Sequence, residues 1–424
     1  MLIQAGFYRV WQKLKWLALG GALCLGACQQ PAEDVSEPLP VAPEPVLLPS
    51  QLDLIPAHWD AMSGWGESDL RPALSAFLRS CETFSGRSDD APLNPRAAWA
   101  GRIGEWRAAC TGLAMTEDTP EAALASFEAL FSPVRVVAIE PDSQSVEQTG
   151  LLTGYYEPFV EVRETRQGAF TQPLRLRPDD LISVNLGDFD EELAGRSLVG
   201  RAESGRLVHY RDRAEIENRN AGEVFAWGRP IDVFFLQIQG SGRLVFEDES
   251  QIRAAFSAHN GLPYRSIGRE LIARGELELH AASKAGIENW LNENGPEATA
   301  ELFSVNPRYV FFAQEALDQP ELGPRGSSGV ALTPISSMAI DPAFHAHGVP
   351  VWLNADLPEA PLWSGLVIAQ DSGGAITGPL RGDFFWGWGE DAERRAGTTR
   401  AQSSWTVLLP NAVVDRIADA TPPA

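Results

Sequence analysis

From about residue 135 onward the chain is written in short β-branched and aromatic runs with glycine and proline between them, and this rhythm limits the architectures open to it. VRVVAIEP, GLLTGYYEPFVEVRET, DVFFLQIQGSGRLVFED, PRYVFFAQ, VPVWLNADL, GLVIAQD and SSWTVLLPN each have the length and composition of a strand. Only two weak helices interrupt them, near Ser266 to Arg274 and near Ala282 to Asn292. Without regular strand–helix alternation a doubly wound sheet is disfavoured, and a β-barrel core with a second, smaller β domain is expected.

Before residue 135 the period is helical. Leu70, Leu74, Phe77, Leu78 and Cys81 fall on one stripe, with Ser68 and Asp69 as candidate caps, and Trp99, Ile103, Trp106 and Cys110 on a second. A third helix opens on Thr119-Pro120 and runs to about Phe131. With 424 residues and about 100 to 200 per domain, two domains are expected once the tails are set aside.

The N-terminus is not part of either. Arg9, Lys13 and Lys15 precede an apolar run from Trp16 to Ala27, too short for a permanent span and read as a secretory signal. The run ends in Leu25-Gly26-Ala27-Cys28, which resembles the lipobox of bacterial lipoproteins and makes Cys28 the candidate lipidated residue. Gln29, in place of Asp, points to the outer membrane. The following QQPAEDVSEPLPVAPEPVLLPS, rich in proline and acid, reads as a tether. A formal charge of −23 disfavours nucleic acid and electrostatic adhesion to anionic lipid, which leaves the acyl anchor as the membrane link.

Of four cysteines, Cys81 and Cys110 remain for the mature fold, either as a disulfide or as two buried thiols. No C-x-x-C occurs, and His345 and His347 in FHAHG lack a cysteine or acidic partner at ligand spacing, so neither metal nor cofactor is expected. GGAITGPL has Pro379 and Leu380 where a phosphate loop needs Lys and Ser/Thr. QGSGR is not a nucleophile elbow; flanking strands suggest a hairpin, with Phe235, Gln237 and Gln239 on one face. That face suits either a sugar chain or solvent. Tyr155, Tyr156 and Glu157 in TGYYEP can be interface packing or a carbohydrate contact, and taken alone they favour packing.

The stretch AQDSGGAITGPLRGDFFWGWGED carries the chemistry. Asp371 closes an apolar run, glycines allow a tight turn, and Asp383 precedes Phe384, Phe385 and Trp386. A carboxyl group desolvated by such rings holds its proton to higher pH; an aspartate beside glycine is otherwise an ordinary turn residue.

Together with TGYYEP, DVFFLQIQGSGRL, PYRSIGRELIARGE, NPRYVFF, GVALTPISSMAIDP and RRAG, this stretch resembles the membrane-bound lytic murein transglycosylase A family over about Gly150 to Pro410. The resemblance implies a double-psi β-barrel large domain, made by chain on both sides of an inserted smaller β domain, with peptidoglycan glycan in the groove between them. It divides the chain into a signal (1–27), lipidated tether (28–50), first part of the large domain (51–158), insertion (159–282), second part (283–412) and tail (413–424). The family's three aspartates fall on Asp341, Asp371 and Asp383, with the catalytic role at Asp383. The implied reaction cuts the β-1,4 bond between N-acetylmuramic acid and N-acetylglucosamine, with the substrate's own C6 hydroxyl attacking C1 to leave a 1,6-anhydro end. Asp383 then serves as sole acid and base, with Asp371 and Asp341 in support. Tyr155, Glu157, Gln239, Gly240, Ser241, Gly242 and Thr333 are the expected glycan contacts. A hydrolytic muramidase and a non-catalytic peptidoglycan-binding lipoprotein remain as alternatives.

Overall fold

The computed structural model describes residues 51–139, 145–190, 193, 196–357 and 359–420. The signal, Cys28 and the tether lie outside these residues. Strand β1 (Gln51–Pro56) precedes three helices, α1 (Arg71–Glu82), α2 (Ile103–Leu113) and α3 (Pro120–Leu130). Strands β2 (Phe131–Ile139), β3 (Val146–Glu147) and β4 (Gly150–Glu157) follow, and β4 runs across Pro158 into β5 (Phe159–Arg163). The middle of the chain contributes β6 (Gln172–Arg175), β7 (Ile182–Asn185), β8 (Ser197–Glu203), β9 (Arg206–His209), α4 (Arg213–Arg219) and β10 (Val224–Gly228). It continues through α5 (Pro230–Gln239), β11 (Gly242–Val245), β12 (Gln251–His259), α6 (Ile267–Ala273), α7 (Lys284–Ser304) and β13 (Val310–Glu315). The last part is β14 (Ser337–Ala339), β15 (Pro350–Leu357), β16 (Ala360–Asp371), β17 (Gly382–Trp388), α8 (Gly389–Thr398), β18 (Arg400–Pro410) and α9 (Asn411–Ala420).

Strands β18, β15, β16, β14, β17 and β4 pair in that order, and β4 pairs back onto β18, so six strands close a barrel. Two of its pairings are parallel, β4 with β17 and β14 with β16, as a double-psi barrel requires of strands joined by crossovers. Alternate side chains point inward: Leu152, Met338, Val367, Phe384, Trp405 and Val407 are all buried. Helices α1 to α3 cover one flank, with Phe77, Trp106 and Phe127 packed against Phe131 of β2. A disulfide joins Cys81 of α1 to Cys110 of α2, with Cα atoms 5.9 Å apart.

A second sheet runs β13-β12-β11-β5-β10-β6, and a bridge from Leu176 to Phe312 brings its two ends together into a nearly closed barrel. Its apolar filling is separate from that of the first barrel. Strand β13 lies beyond residue 282, and on this pairing we take the inserted unit to extend from Phe159 to Glu315. No helix among the described residues is long and apolar enough to cross a membrane.

One expected strand is a helix. DVFFLQIQ forms most of α5, with Pro230 in its first turn and Gly240 as a left-handed cap at φ 89°. Ile231, Val233, Phe234, Leu236 and Gln237 are buried, and Phe234 stacks on Phe303, so the apolar run feeds two packed sides of a helix rather than one face of a sheet. The expected hairpin at Gly240–Gly242 is therefore a helix-to-strand turn, and the shared face of Phe235, Gln237 and Gln239 does not form. The caps expected for α1 also differ: the Ser68 hydroxyl donates to the Gly64 carbonyl, and Leu70 takes the cap position without a side-chain bond. The helix expected near Ala282 to Asn292 continues to Ser304 across a break at Gly295.

Candidate active site

Asp383 is placed by the register of β17. It lies opposite Thr153 on parallel β4 and Ala339 on antiparallel β14. Gly382 before it is required by close approach, since a Cβ there would sit 2.7 Å from the Trp405 ring and 2.8 Å from the Met338 sulfur. Strand alternation then separates the aromatic residues that follow. Phe384 and Trp386 turn to the barrel side, where Phe384 packs edge-on against Trp363 and Trp386. Phe385 alone shares the face of Asp383, and its ring lies against Tyr155 with centroids 5.2 Å apart.

The half-buried Asp383 carboxyl has a hydroxyl, not a cation, as its bonded partner. Thr153 Oγ1 donates to Asp383 Oδ1 at 2.5 Å, and Arg381 Nη2 donates to the same Thr153 oxygen at 2.8 Å. A threonine hydroxyl has one hydrogen. With the guanidinium occupying its acceptor side, that hydrogen goes to Oδ1, which leaves Oδ2 as the oxygen to carry a proton. Burial pushes the Asp383 pKa up to about 6; Thr153 and Arg381 pull it down, and Asp371 adds a further upward push.

Asp371, at the end of β16, has both oxygens engaged. Oδ2 accepts from the Tyr155 hydroxyl at 2.9 Å, and Oδ1 accepts from the backbone N–H groups of Ser327 at 2.9 Å and Ser372 at 2.8 Å. Burial, then the charges of Asp371 and Asp383, raise the Tyr155 phenol well above its ordinary value, so it remains a neutral donor. Asp341 holds the glycine-rich loop: its Oδ2 accepts from Gly378 N–H at 2.7 Å and its Oδ1 from Ala343 N–H at 2.8 Å. Thr333 accepts from the Arg79 guanidinium and donates its N–H to Ser337 Oγ at 2.8 Å.

Glu157 stands in a different setting. It is buried at the end of β4, with Arg243 Nε 2.8 Å from one oxygen and Arg253 Nε 2.5 Å from the other. Arg243 also lies 3.9 Å over the Trp388 ring. Nearby, Ser241 and Gly242 are packed at the start of β11, and Arg243 N–H donates to Pro158 O at 2.8 Å. The structure thus gathers Gly240, Ser241, Gly242 and Glu157 at the crossover between barrels, and Tyr155, Asp371 and Asp383 together on the first barrel. Gln239 ends α5 beside the former group.

His345 and His347 are neutral packing groups. Burial lowers His345 to about 4, with its Nε2 2.7 Å from Pro379 O, and burial also lowers His347, whose Nε2 lies 3.1 Å from Ser327 Oγ. No group of three or more His, Cys, Asp or Glu suited to a metal occurs among the described residues. Thr153 and Arg381 escaped the sequence reading. Thr153 was findable, because period-two alternation places it on the same face of β4 as Tyr155.

Residues 151–313 match the family model described as the MltA specific insert domain, and residues 336–409 match the 3D domain. The membrane-bound lytic murein transglycosylase A of Escherichia coli (strain K12) is 30% identical over 260 residues, which cover 58% of this chain and 61% of that protein's own length. A crystal structure of membrane-bound lytic murein transglycosylase from Agrobacterium tumefaciens superposes with a TM-score of 0.71 at 28% identity, over 86% of this chain and 99% of that one. The lytic transglycosylase LtgG of Burkholderia pseudomallei gives 0.53 at 31% identity, over 86% and 98%.

Proposed function

The chain belongs to the membrane-bound lytic murein transglycosylase A family, and from that premise we propose that it cleaves peptidoglycan glycan strands between N-acetylmuramic acid and N-acetylglucosamine, leaving 1,6-anhydromuramic ends. The observation that carries this reading is Asp383, a half-buried carboxyl bonded to one hydroxyl and to no cation, whose pKa burial pushes up to about 6.

Asp383 Oδ2 gives its proton to the bridging oxygen as the bond from C1 breaks. The C6 hydroxyl of the same muramic acid attacks C1, and the Asp383 carboxylate takes its proton, which restores the acid. No water is consumed. Glycosidases that use water need a second carboxyl group, about 5 to 5.5 Å away when retaining or about 6.5 to 9.5 Å away when inverting. Asp371 accepts three hydrogen bonds from Tyr155, Ser327 and Ser372, which commits it to orienting the site rather than to activating water. Asp341 acts likewise on the loop through Gly378. Tyr155 and Thr333 are the glycan contacts nearest the acid. Gln239, Gly240 and Ser241 serve further along, where the two barrels meet. Glu157 is assigned instead to holding that junction, since both its oxygens are taken by arginines.

The relatives are named membrane-bound. For this chain we assign the membrane link to acyl groups on Cys28, with the outer membrane's periplasmic face as the location and the acidic, proline-rich segment as spacer.

Mass spectrometry of muropeptides released from purified sacculi tests the reaction. Products with 1,6-anhydro ends are expected. Products heavier by one water, with reducing ends, would replace this reading with hydrolysis.

A further inference from the structure

The turn that delivers β14 to Asp383 carries an unfavourable residue. Thr333-Pro334-Ile335-Ser336 is closed by Ser336 N–H donating to Thr333 O at 3.1 Å. Proline in its second place and a φ of 62° in its third mark a type II turn, whose third place normally takes glycine or asparagine. Ile335 occupies it, and it is the only β-branched residue at positive φ among the described residues. There a Cβ crowds the backbone, most of all when branched. Burial does not offset the cost, for Ile335 remains 42% exposed.

The conformation is imposed from outside. Ile335 N–H donates to Phe385 O at 2.8 Å, Arg79 bonds Thr333 Oγ1, and Pro334 packs over Gly387, where a Cβ would come within 3.2 Å. Strain that the surroundings over-determine, with an apolar side chain left open, marks a position selected for what that side chain meets. Phe385 is two residues from Asp383 on the same strand face, and its ring touches Tyr155. The backbone of Ile335 is thus fixed to the strand that carries the acid, two residues beyond it, while its side chain stays exposed.

Resting on the cleavage proposed above, we propose that Ile335 is a specificity-determining residue that packs its aliphatic branch against a methyl-bearing substituent of the glycan strand. Methyl groups are the apolar points of an otherwise hydroxyl-rich chain, and two substituents supply them, the N-acetyl group on every sugar and the lactyl ether on muramic acid alone.

Binding is measured by calorimetry in an Asp383→Asn background, so that no turnover is needed, with peptide-free glycan strands and with a chito-oligosaccharide, which has acetyl but no lactyl groups. Ile335→Gly should melt about 1 to 3 °C higher because the strain is relieved. It should also bind glycan strands about tenfold more weakly. Ile335→Leu, which keeps an apolar branch, should restore affinity to within about threefold of the parent. Loss toward both ligands assigns the acetyl group; loss toward glycan strands alone assigns the lactyl ether. Unchanged affinity for glycan strands in a folded Ile335→Gly protein would overturn the inference. Failure of the cleavage reading would show separately, as a wild-type protein that releases no anhydro products.

Discussion

Glu157 and Asp383 lie on neighbouring parallel strands, and both carboxyls are drawn out of water, yet the chain treats them in opposite ways. Each Glu157 oxygen meets a guanidinium, from Arg243 and Arg253, and its charge is answered inside the protein. Asp383 meets the hydroxyl of Thr153, and the nearby Arg381 donates to that hydroxyl and to the carbonyls of Leu151 and Gly382 instead. Burial alone does not make an acid. What makes one is burial without a bonded cation: burial pushes the pKa up to about 6, against the downward pull of the Thr153 bond and then of Arg381.

The largest test of this contrast is Asp383→Asn. Release of anhydro muropeptides should fall by about 10²- to 10⁴-fold while the folded state and sacculus binding persist. Full activity in this variant would remove the distinction between the two carboxyls. Glu157→Gln should do the reverse, leaving two buried arginines without their counter-charge and lowering the unfolding free energy by about 3 to 5 kcal/mol in denaturant titration. An unfolding curve like that of wild type would make Glu157 dispensable and the contrast empty.

A smaller effect follows from pH. The folded pKa of Asp383, about 6, lies above its unfolded value of 3.8, so the native state holds the proton more tightly. Its contribution to stability is fully present below about pH 3.8 and is lost as pH rises through 6, a change of roughly 3 kcal/mol at most. Chemical denaturation of wild type and Asp383→Asn across pH 3 to 8 should show this slope in wild type alone. Smallest is Thr153→Val, which removes a bond that lowers the Asp383 pKa. The alkaline limb of the rate profile should move to higher pH, with activity near pH 5 largely kept. A limb that stays in place would mean that the hydroxyl does not tune the acid.

Four of the six strands of the first barrel, β4, β15, β16 and β18, were readable as β-branched and aromatic runs of strand length, whereas β14 and β17, the strand of Asp383, lie in segments too short or too rich in glycine to stand out. Helix α5 was not readable as a helix, since a short apolar run such as Val233–Leu236 fits a buried strand or a packed helix equally, and only Pro230 and Gly240 marked its ends. The two carboxyls show a deeper limit. Asp383 was reached through family motifs and through aromatic neighbours in the chain, yet Phe384 and Trp386 turn away from it. Its bonded neighbour, Thr153, is 230 residues distant. Glu157 reads in TGYYEP as packing or a carbohydrate contact and becomes a glycan contact only with the resemblance, because its arginines come 86 and 96 residues later. Local pattern locates a carboxyl in an element; the groups that set its chemistry arrive by tertiary pairing.

The most direct test is to titrate Asp383 itself. In protein labelled with carbon-13 at the aspartate carboxyls, the resonance lost in Asp383→Asn can be followed from pH 3 to 8. A midpoint near 6 is expected, shifted upward in Thr153→Val. A midpoint near 4 that is unmoved by that substitution would contradict the assignment of Asp383 as the proton-holding acid.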